Sequence, residues 1–362
     1  MTGPRPRPPH DLLALTAELV DIPSVSRDEA AITAHLEHEL RALGHLDLTR
    51  VGDNLVARTE LGRPSRLVLA GHTDTVPAAG NERARIEGDT LWGLGAADMK
   101  GGLAVMLELA RTMPSPAVDV TYVFYAREEI DASASGLGEL FAARPDLMVG
   151  DAAILGEPTA AAIEAGCQGT MHLRVDLAGR RAHSARPWMG RNAVHRLGAL
   201  LAAVEARPER RPVLQGCEYR EALQAVSVEG GVARNVVPDE ASVTLNHRFA
   251  PDRTPDEAEA AVREVLAPVL DEGDRVERLE VADGAAPGLD HPLLAALAGR
   301  HDLEIRAKLG WTDVARFAAA GVPAVNLGPG DSTYAHRADE HVERDFLDAT
   351  WFVLADLLER GV

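Results

Sequence analysis

Five short segments of the sequence place histidine or carboxylate side chains directly after apolar runs or glycine-rich turns. The first is Gly71-His72-Thr73-Asp74-Thr75-Val76-Pro77, which follows the apolar stretch Arg66 to Ala70. Residues two apart in extended chain face the same side, so the Asp74 carboxylate can accept from the second ring nitrogen of His72. That arrangement fixes a metal-bound imidazole and raises its basicity; a plain polar turn after a strand would read the same way. The second is Trp92-Gly93-Leu94-Gly95-Ala96-Ala97-Asp98-Met99-Lys100-Gly101-Gly102, a glycine loop running into a helical pattern. There Asp98 is either a helix N-cap or a ligand. The loop matches neither GxxxxGK[ST] nor GxGxxG, so a nucleotide site is not indicated. In the third, Arg127-Glu128-Glu129, adjacent side chains of extended chain point apart. One carboxylate can then ligate while the other addresses a water, or both are simply solvated. The fourth and fifth are Glu157, in Gly156-Glu157-Pro158-Thr159, and His336, in Tyr334-Ala335-His336-Arg337-Ala338-Asp339-Glu340.

The elements that must position these groups alternate in the first part of the chain. Helical patterns are expected at Asp11 to Val20, Asp28 to Leu43 and Met99 to Met113, with Leu103, Met106, Leu107 and Ala110 on one face. Strands are expected at Asn54 to Arg58, Arg66 to Ala70, Val118 to Tyr125 and Ala152 to Leu155. Such alternation implies an α/β domain with a mostly parallel sheet and helices on both faces, whose ligands gather beyond the carboxyl ends of the strands. The middle reads differently: strand His172 to Leu177, helix Asn192 to Glu205, strands Ala222 to Val228 and Ala241 to Phe249, helix Pro255 to Leu270 with Thr254 as N-cap, strand Arg275 to Val281. The order β-α-β-β-α-β is that of a ferredoxin-like α+β unit. The first style then returns in helices near Pro292 to Arg300 and Thr312 to Ala320, strand Ala324 to Leu327 and a helix from Glu343 to Glu359. The expected division is a discontinuous catalytic domain, residues 1–169 and 284–362, interrupted by an inserted domain, residues 170–283.

Taken jointly, His72, Asp98, Glu129 and Glu157 fall on one rim of one sheet, and His336 can return to it. Oxygen and nitrogen ligands without thiolates suit catalytic zinc, and two metals sharing a carboxylate form a hydrolytic centre. On these motifs the chain resembles the two-zinc family of aminoacylases, acetylornithine deacetylases, carboxypeptidases and desuccinylases. The likeness runs in order along nearly the whole chain. It implies that His72, Asp98 and Glu157 hold one zinc, and that Asp98, Glu129 and His336 hold the other. Cobalt would serve as a substitute metal. It further implies that Glu128 is the general base, that Asp74 orients His72, and that the Asp98-Met99 peptide is cis.

The same resemblance makes the inserted domain a dimerisation and lid domain. In Gly179-Arg180-Arg181-Ala182-His183-Ser184-Ala185, His183 would stabilise the oxyanion in the partner's site. Asn235 in Gly230-Gly231-Val232-Ala233-Arg234-Asn235, Arg248, and Thr312 and Arg316 in Trp311-Thr312-Asp313-Val314-Ala315-Arg316-Phe317 would contact substrate. The segments Ala165-Gly166-Cys167-Gln168-Gly169, Gly310-Trp311-Thr312-Asp313-Val314 and Gly328-Pro329-Gly330-Asp331 look most like the actinobacterial desuccinylases of the family. That implies hydrolysis of the amide of N-succinyl-LL-2,6-diaminopimelate. Leu94, Ile130 and the pair Asn246-His247 depart from the family's usual Arg, Gly and acidic residue. The alternatives are acetylornithine deacetylase, another N-acyl-amino-acid deacylase or dipeptidase, and a non-catalytic binding protein on the same fold.

Composition narrows the partners. A net charge of -19 disfavours nucleic acid and anionic membrane surfaces, whose phosphates would repel the protein, and leaves a small-molecule substrate. Two cysteines, Cys167 and Cys217, make no disulfide framework and no CxxC. A reducing, cytoplasmic setting fits them, and no run approaches a membrane span. The proline-rich start, Met1 to Pro9, is expected to be unstructured.

Overall fold

A computed structural model describes residues 7–362, so most of the proline-rich start lies outside the described residues. The described residues divide into two compact units: residues 7–166 with 287–306 and 313–362, and residues 167–286 with 307–312.

The first unit is built on an eight-stranded sheet. Its strands are β1 (Asp47–Val51), β2 (Asn54–Arg58), β3 (Arg66–His72), β4 (Asp119–Tyr125), β5 (Ala152–Leu155), β6 (Ile163–Ala165), β11 (Ile305–Ala307) and β12 (Ala324–Asn326), in the order β1-β2-β4-β3-β5-β12-β6-β11. The centre is parallel: β3 pairs with β4 and with β5, and β12 with β5. β1 and β2 run antiparallel on one flank, and β6 on the other. β4 is buried at every position, as a strand covered by helices on both faces must be. The helices are α1 (Leu12–Val20), α2 (Ala30–Leu43), α3 (Gly101–Thr112), α4 (Gly136–Ala143), α7 (Pro292–Arg300), α8 (Val314–Ala319) and α9 (Arg344–Arg360). α1, α3 and α9 pack on one another, and α1 opens with Asp11 accepting from the Leu13 and Ala14 N–H groups.

The second unit has the strands β7 (Gly169–Ala178), β8 (Ala222–Gly230), β9 (Glu240–Phe249) and β10 (Arg275–Ala282), with helices α5 (Ala193–Glu205) and α6 (Pro255–Leu266). The order β8-β9-β7-β10, antiparallel throughout, is the ferredoxin-like arrangement. Alternate burial along β7 and β9 turns one face onto α5 and α6, where Met171, Leu173, Val175, Leu200, Leu245, Phe249, Val262 and Leu266 form the core. α6 starts with a complete capping box between Thr254 and Glu257.

Some expectations change locally, and the helix expected over Pro255 to Leu270 ends at Leu266. The helix expected from Met99 begins at Gly101; Asp98 (φ -120, ψ 95) and Met99 (φ -132, ψ 37) are non-helical, and Asp98 is no N-cap. The helix expected over 312–320 is shortened to Val314–Ala319. The Asp98-Met99 peptide is cis.

Candidate metal centre

The parallel register sets the first neighbours. β3 and β4 end side by side, with His72 opposite Tyr125, so the turns that follow them carry His72 to Asp74 and Glu128 to Glu129 to one edge. β5, next to β3 on its other side, delivers Glu157 two residues past its end. Gly102 permits this approach, because a Cβ there would collide with the Gly156 carbonyl oxygen.

The ligand atoms of His72, Asp98 and Glu157 lie within 4.8 Å of one another, as do those of Asp98, Glu129 and His336. Asp98 is shared, and its two oxygens face different histidines. Oδ1 is 3.1 Å from Nε2 of His72, and Oδ2 is 3.7 Å from Nε2 of His336. Nε2 of His336 is 2.8 Å from Oε1 of Glu129. Glu128 also falls in a group of the same span with His72 and Glu129.

The surroundings of Asp74 differ from the expected His-carboxylate bond. Nδ1 of His72 is 3.1 Å from the Asp74 main-chain oxygen and 3.6 Å from its carboxylate. The carboxylate instead accepts the N–H groups of Glu128 (3.0 Å) and Glu129 (3.1 Å) and the Ser26 hydroxyl (2.6 Å). These donors and His72 overcome burial, which alone would raise its pKa, and hold it down at about 2. Asp74 therefore fixes the two glutamates as well as the histidine.

Electrostatically the cluster lacks positive charge. Burial, reinforced by the neighbouring carboxylates Glu157, Asp313 and Glu129, pushes Glu128 well above the usual carboxylate range. Burial and Asp98 raise Glu129. Burial opposes protonation of His72, yet Asp74 and Asp98 pull its pKa well up. Crowded, buried carboxylates facing imidazole nitrogens, with no thiol among them, are a donor set for divalent cations. The residues present fit two such ions.

The remaining predicted residues divide between the units. Arg316 is in the first unit, where its Nε donates to Asp313 at 2.6 Å and a terminal nitrogen donates to the Ala132 carbonyl at 3.0 Å. Its guanidinium is thus engaged by a buried acid. His183, Asn235, Arg248 and Thr312 are in the second unit. His183 and Asn235 come together there: His183 pairs with Val236, and the Ser184 N–H donates to the Asn235 carbonyl at 2.9 Å. His183 is exposed, and its Nδ1 accepts the Ala185 N–H at 3.0 Å. Thr312 is buried, and its carbonyl accepts from the Cys167 thiol. Arg248 is half-buried and makes no ion pair or side-chain hydrogen bond among the described residues. Burial lowers its pKa.

Sequence reasoning missed several supporting groups. Glu340 accepts the N–H groups of Ala97 (3.1 Å) and Asp98 (3.0 Å) and so fixes the shared aspartate. Its place four residues after His336 was the available signal. Asn54 and Ser26 hold the strand ends; no local pattern marks either one.

Residues 68–360 match the model of peptidase family M20/M25/M40. The chain belongs to this family and is a metal-dependent amidohydrolase. It is 51% identical over 352 residues, 97% of each chain, to a Mycobacterium tuberculosis protein provisionally named succinyl-diaminopimelate desuccinylase DapE. It is 44% identical over 340 residues, 91% of each chain, to the succinyl-diaminopimelate desuccinylase of Corynebacterium glutamicum. Among solved structures, aminopeptidase PepT from Bacillus cereus matches with a TM-score of 0.78 and 21% identity, over 96% of this chain and 97% of that one. At that identity the likeness speaks to the fold alone.

Proposed function

We propose that this protein hydrolyses the amide of N-succinyl-LL-2,6-diaminopimelate, releasing succinate and LL-2,6-diaminopimelate, with two zinc ions as its cofactor. The observation that carries the reading is end-to-end identity of 51% to a relative of that name in a chain whose two ligand groups share Asp98. His72, Asp98 and Glu157 hold one ion, and Asp98, Glu129 and His336 the other. Two ions held there would supply polarisation of the amide carbonyl and a water that is easier to deprotonate. Glu128, on the turn after β4, would take a proton from the attacking water and pass it to the departing amine. Asp74 holds the turn on which Glu128 and Glu129 stand.

Recognition of a succinyl group needs a cation at its far carboxylate. Arg248 meets that need, since a half-buried guanidinium without a protein partner calls for an anion, and guanidinium grips carboxylate through two parallel bonds. Arg316 contributes by holding Asp313 and the loop at Ala132, with Thr312 and Asn235 as further donors to substrate. The protein works as a homodimer in which His183 stabilises the oxyanion of the partner's site. Two features support that reading. The imidazole of His183 is anchored through Nδ1, which leaves Nε2 to donate outward. The edge strand β8 is long, and Val226 (57%) and Val228 (52%) are exposed on it, a surface that proteins cover. Two buried cysteines outside any disulfide, Cys167 and Cys217, suit a reducing, cytoplasmic setting. Among the described residues no helix is long and apolar enough to cross a membrane.

A substrate panel tests the reading. With zinc added, kcat/KM for N-succinyl-diaminopimelate is expected to exceed that for N-acetylornithine, N-succinylornithine and dipeptides. The margin over the acetyl substrate should be about a hundredfold, the scale set by an unpaired buried charge. Faster hydrolysis of N-acetylornithine or a dipeptide would refute the substrate assignment.

A further inference from the structure

The chain leaving β4 enters the metal centre through four consecutive backbone N–H groups, and every one is received by a side chain from elsewhere in the sequence. The Ala126 N–H goes to Oδ1 of Asn54 at 2.9 Å, and the Arg127 N–H to Oε1 of Glu29 at 3.2 Å. The Glu128 N–H goes to Oδ1 of Asp74 at 3.0 Å, and the Glu129 N–H to Oδ2 of Asp74 at 3.1 Å. Asn54 and Asp74 each have an evident place, one starting β2 and the other following His72. Glu29 does not. It is wholly buried, and it stands at the N-cap position of α2 without making a side-chain cap bond.

Its carboxylate is spent on two main-chain turns instead. Oε1 also accepts the Arg27 N–H at 2.9 Å, while Oε2 is buried with no hydrogen-bond partner among the described residues. Arg27 (φ 79) and Arg127 (φ 61) are both non-glycine residues in the left-handed region. That region is costly for a side chain of this size and is kept only where the surroundings over-determine it. One buried oxygen thus ties together two strained turns, and one of them sets the path of Glu128 and Glu129. Burying an acid for this purpose is unfavourable unless the acceptor is needed.

We infer that Glu29 is a positioning residue for the reaction: it fixes the Arg127 turn and, through it, the placement of the Glu128 carboxylate. The inference rests on the two-metal amidohydrolase reading above. Its role is to accept N–H groups, so its negative charge is dispensable and its carbonyl-type oxygen is not.

Three variants test this. Glu29→Leu removes both acceptors at similar bulk, Glu29→Ala removes them and leaves room, and Glu29→Gln keeps one acceptor oxygen. In Glu29→Leu and Glu29→Ala, kcat on N-succinyl-diaminopimelate should fall between about tenfold and a hundredfold, as for a misplaced reacting group. Zinc content should stay unchanged and KM should move by less than about threefold, a split that marks loss in the transition state. Glu29→Gln should recover to within about threefold of wild type, because its amide oxygen still accepts. Amide hydrogen exchange at Arg127, Glu128 and Glu129 should quicken at least about tenfold in Glu29→Ala and not in Glu29→Gln. Wild-type kcat in metal-replete Glu29→Ala, or equal losses in Gln and Ala, would overturn the assignment. So would failure of both Leu and Ala variants to fold, which would make Glu29 a determinant of stability alone. If wild type turns over no acyl-amino acid, the function reading fails separately, and amide exchange still decides the role of Glu29.

Discussion

At the scale of single residues, two neighbours on β9 hold polar side chains that the protein leaves without a hydrogen-bond partner among the described residues, with different consequences. Arg248 is half-buried and is proposed to meet a carboxylate of the substrate. Arg248→Ala should lower kcat/KM for the succinyl substrate by about a hundredfold with zinc content unchanged. Arg248→Lys should restore only part, because lysine lacks the planar fork. Steady-state kinetics with metal analysis reads both. His247, its neighbour on β9, is the structural counterpart. Its ring is fully buried, neither nitrogen has a hydrogen-bond partner among the described residues, and Glu221 is 4.0 Å away. Burial, with Arg207 and Arg253 nearby, lowers its pKa from 6.5 to about 4. The unfolded chain therefore takes up a proton below pH 6.5 that the folded chain refuses until about pH 4. The stability linked to His247 is full above pH 6.5 and is lost as pH falls through that window, by about 3 kcal/mol. Denaturant melts of wild type and His247→Phe across this range should show a shallower acid decline in the variant. Parallel curves would contradict the assignment.

At the scale of elements, the legible parts of the sequence were those where one periodicity or one punctuation mark dominates. The buried runs Arg66 to Ala70, Val118 to Tyr125 and Ala152 to Leu155 read directly as strands, because a strand covered on both faces is continuously apolar. Thr254 before Pro255 and Glu257 marked the start of α6, and Thr254→Ala should cost about 1 kcal/mol in thermal unfolding without altering zinc content. His72, Glu129 and Glu157 were legible because each closely follows such a run, and Asp98 because it ends a glycine-rich loop. What was not legible depends on tertiary partners. The Met99 helix begins late because the Ala97 and Asp98 N–H groups are taken by Glu340, far along the chain. The carboxylate of Asp74 turns to the Glu128 and Glu129 amides because β3 and β4 end together, a neighbour relation absent from local pattern. Short strands such as β6 and β11, three residues each, carry too few residues for a period to emerge.

At the scale of the whole molecule, the chain consists of an α/β unit carrying the candidate metal ligands and a ferredoxin-like unit carrying His183, Asn235, Arg248 and Thr312. If His183 serves the partner's site, His183→Ala and Glu128→Gln dimers should each be nearly inactive. Mixing them with proven subunit exchange should restore activity, up to half of the wild-type sites in each hybrid dimer. Exchange without recovery would place His183 within its own site or outside the chemistry. If one cluster of five ligands holds two ions beside a base that is not itself a ligand, metal counted per chain alongside turnover shows it, for wild type and Glu128→Gln. Two zinc ions per chain are expected in both proteins, with turnover in the variant lower by at least about a hundredfold, the scale of a positioned acid-base group. One zinc per chain in wild type, or near-normal turnover in a Glu128→Gln protein that holds two, would contradict it.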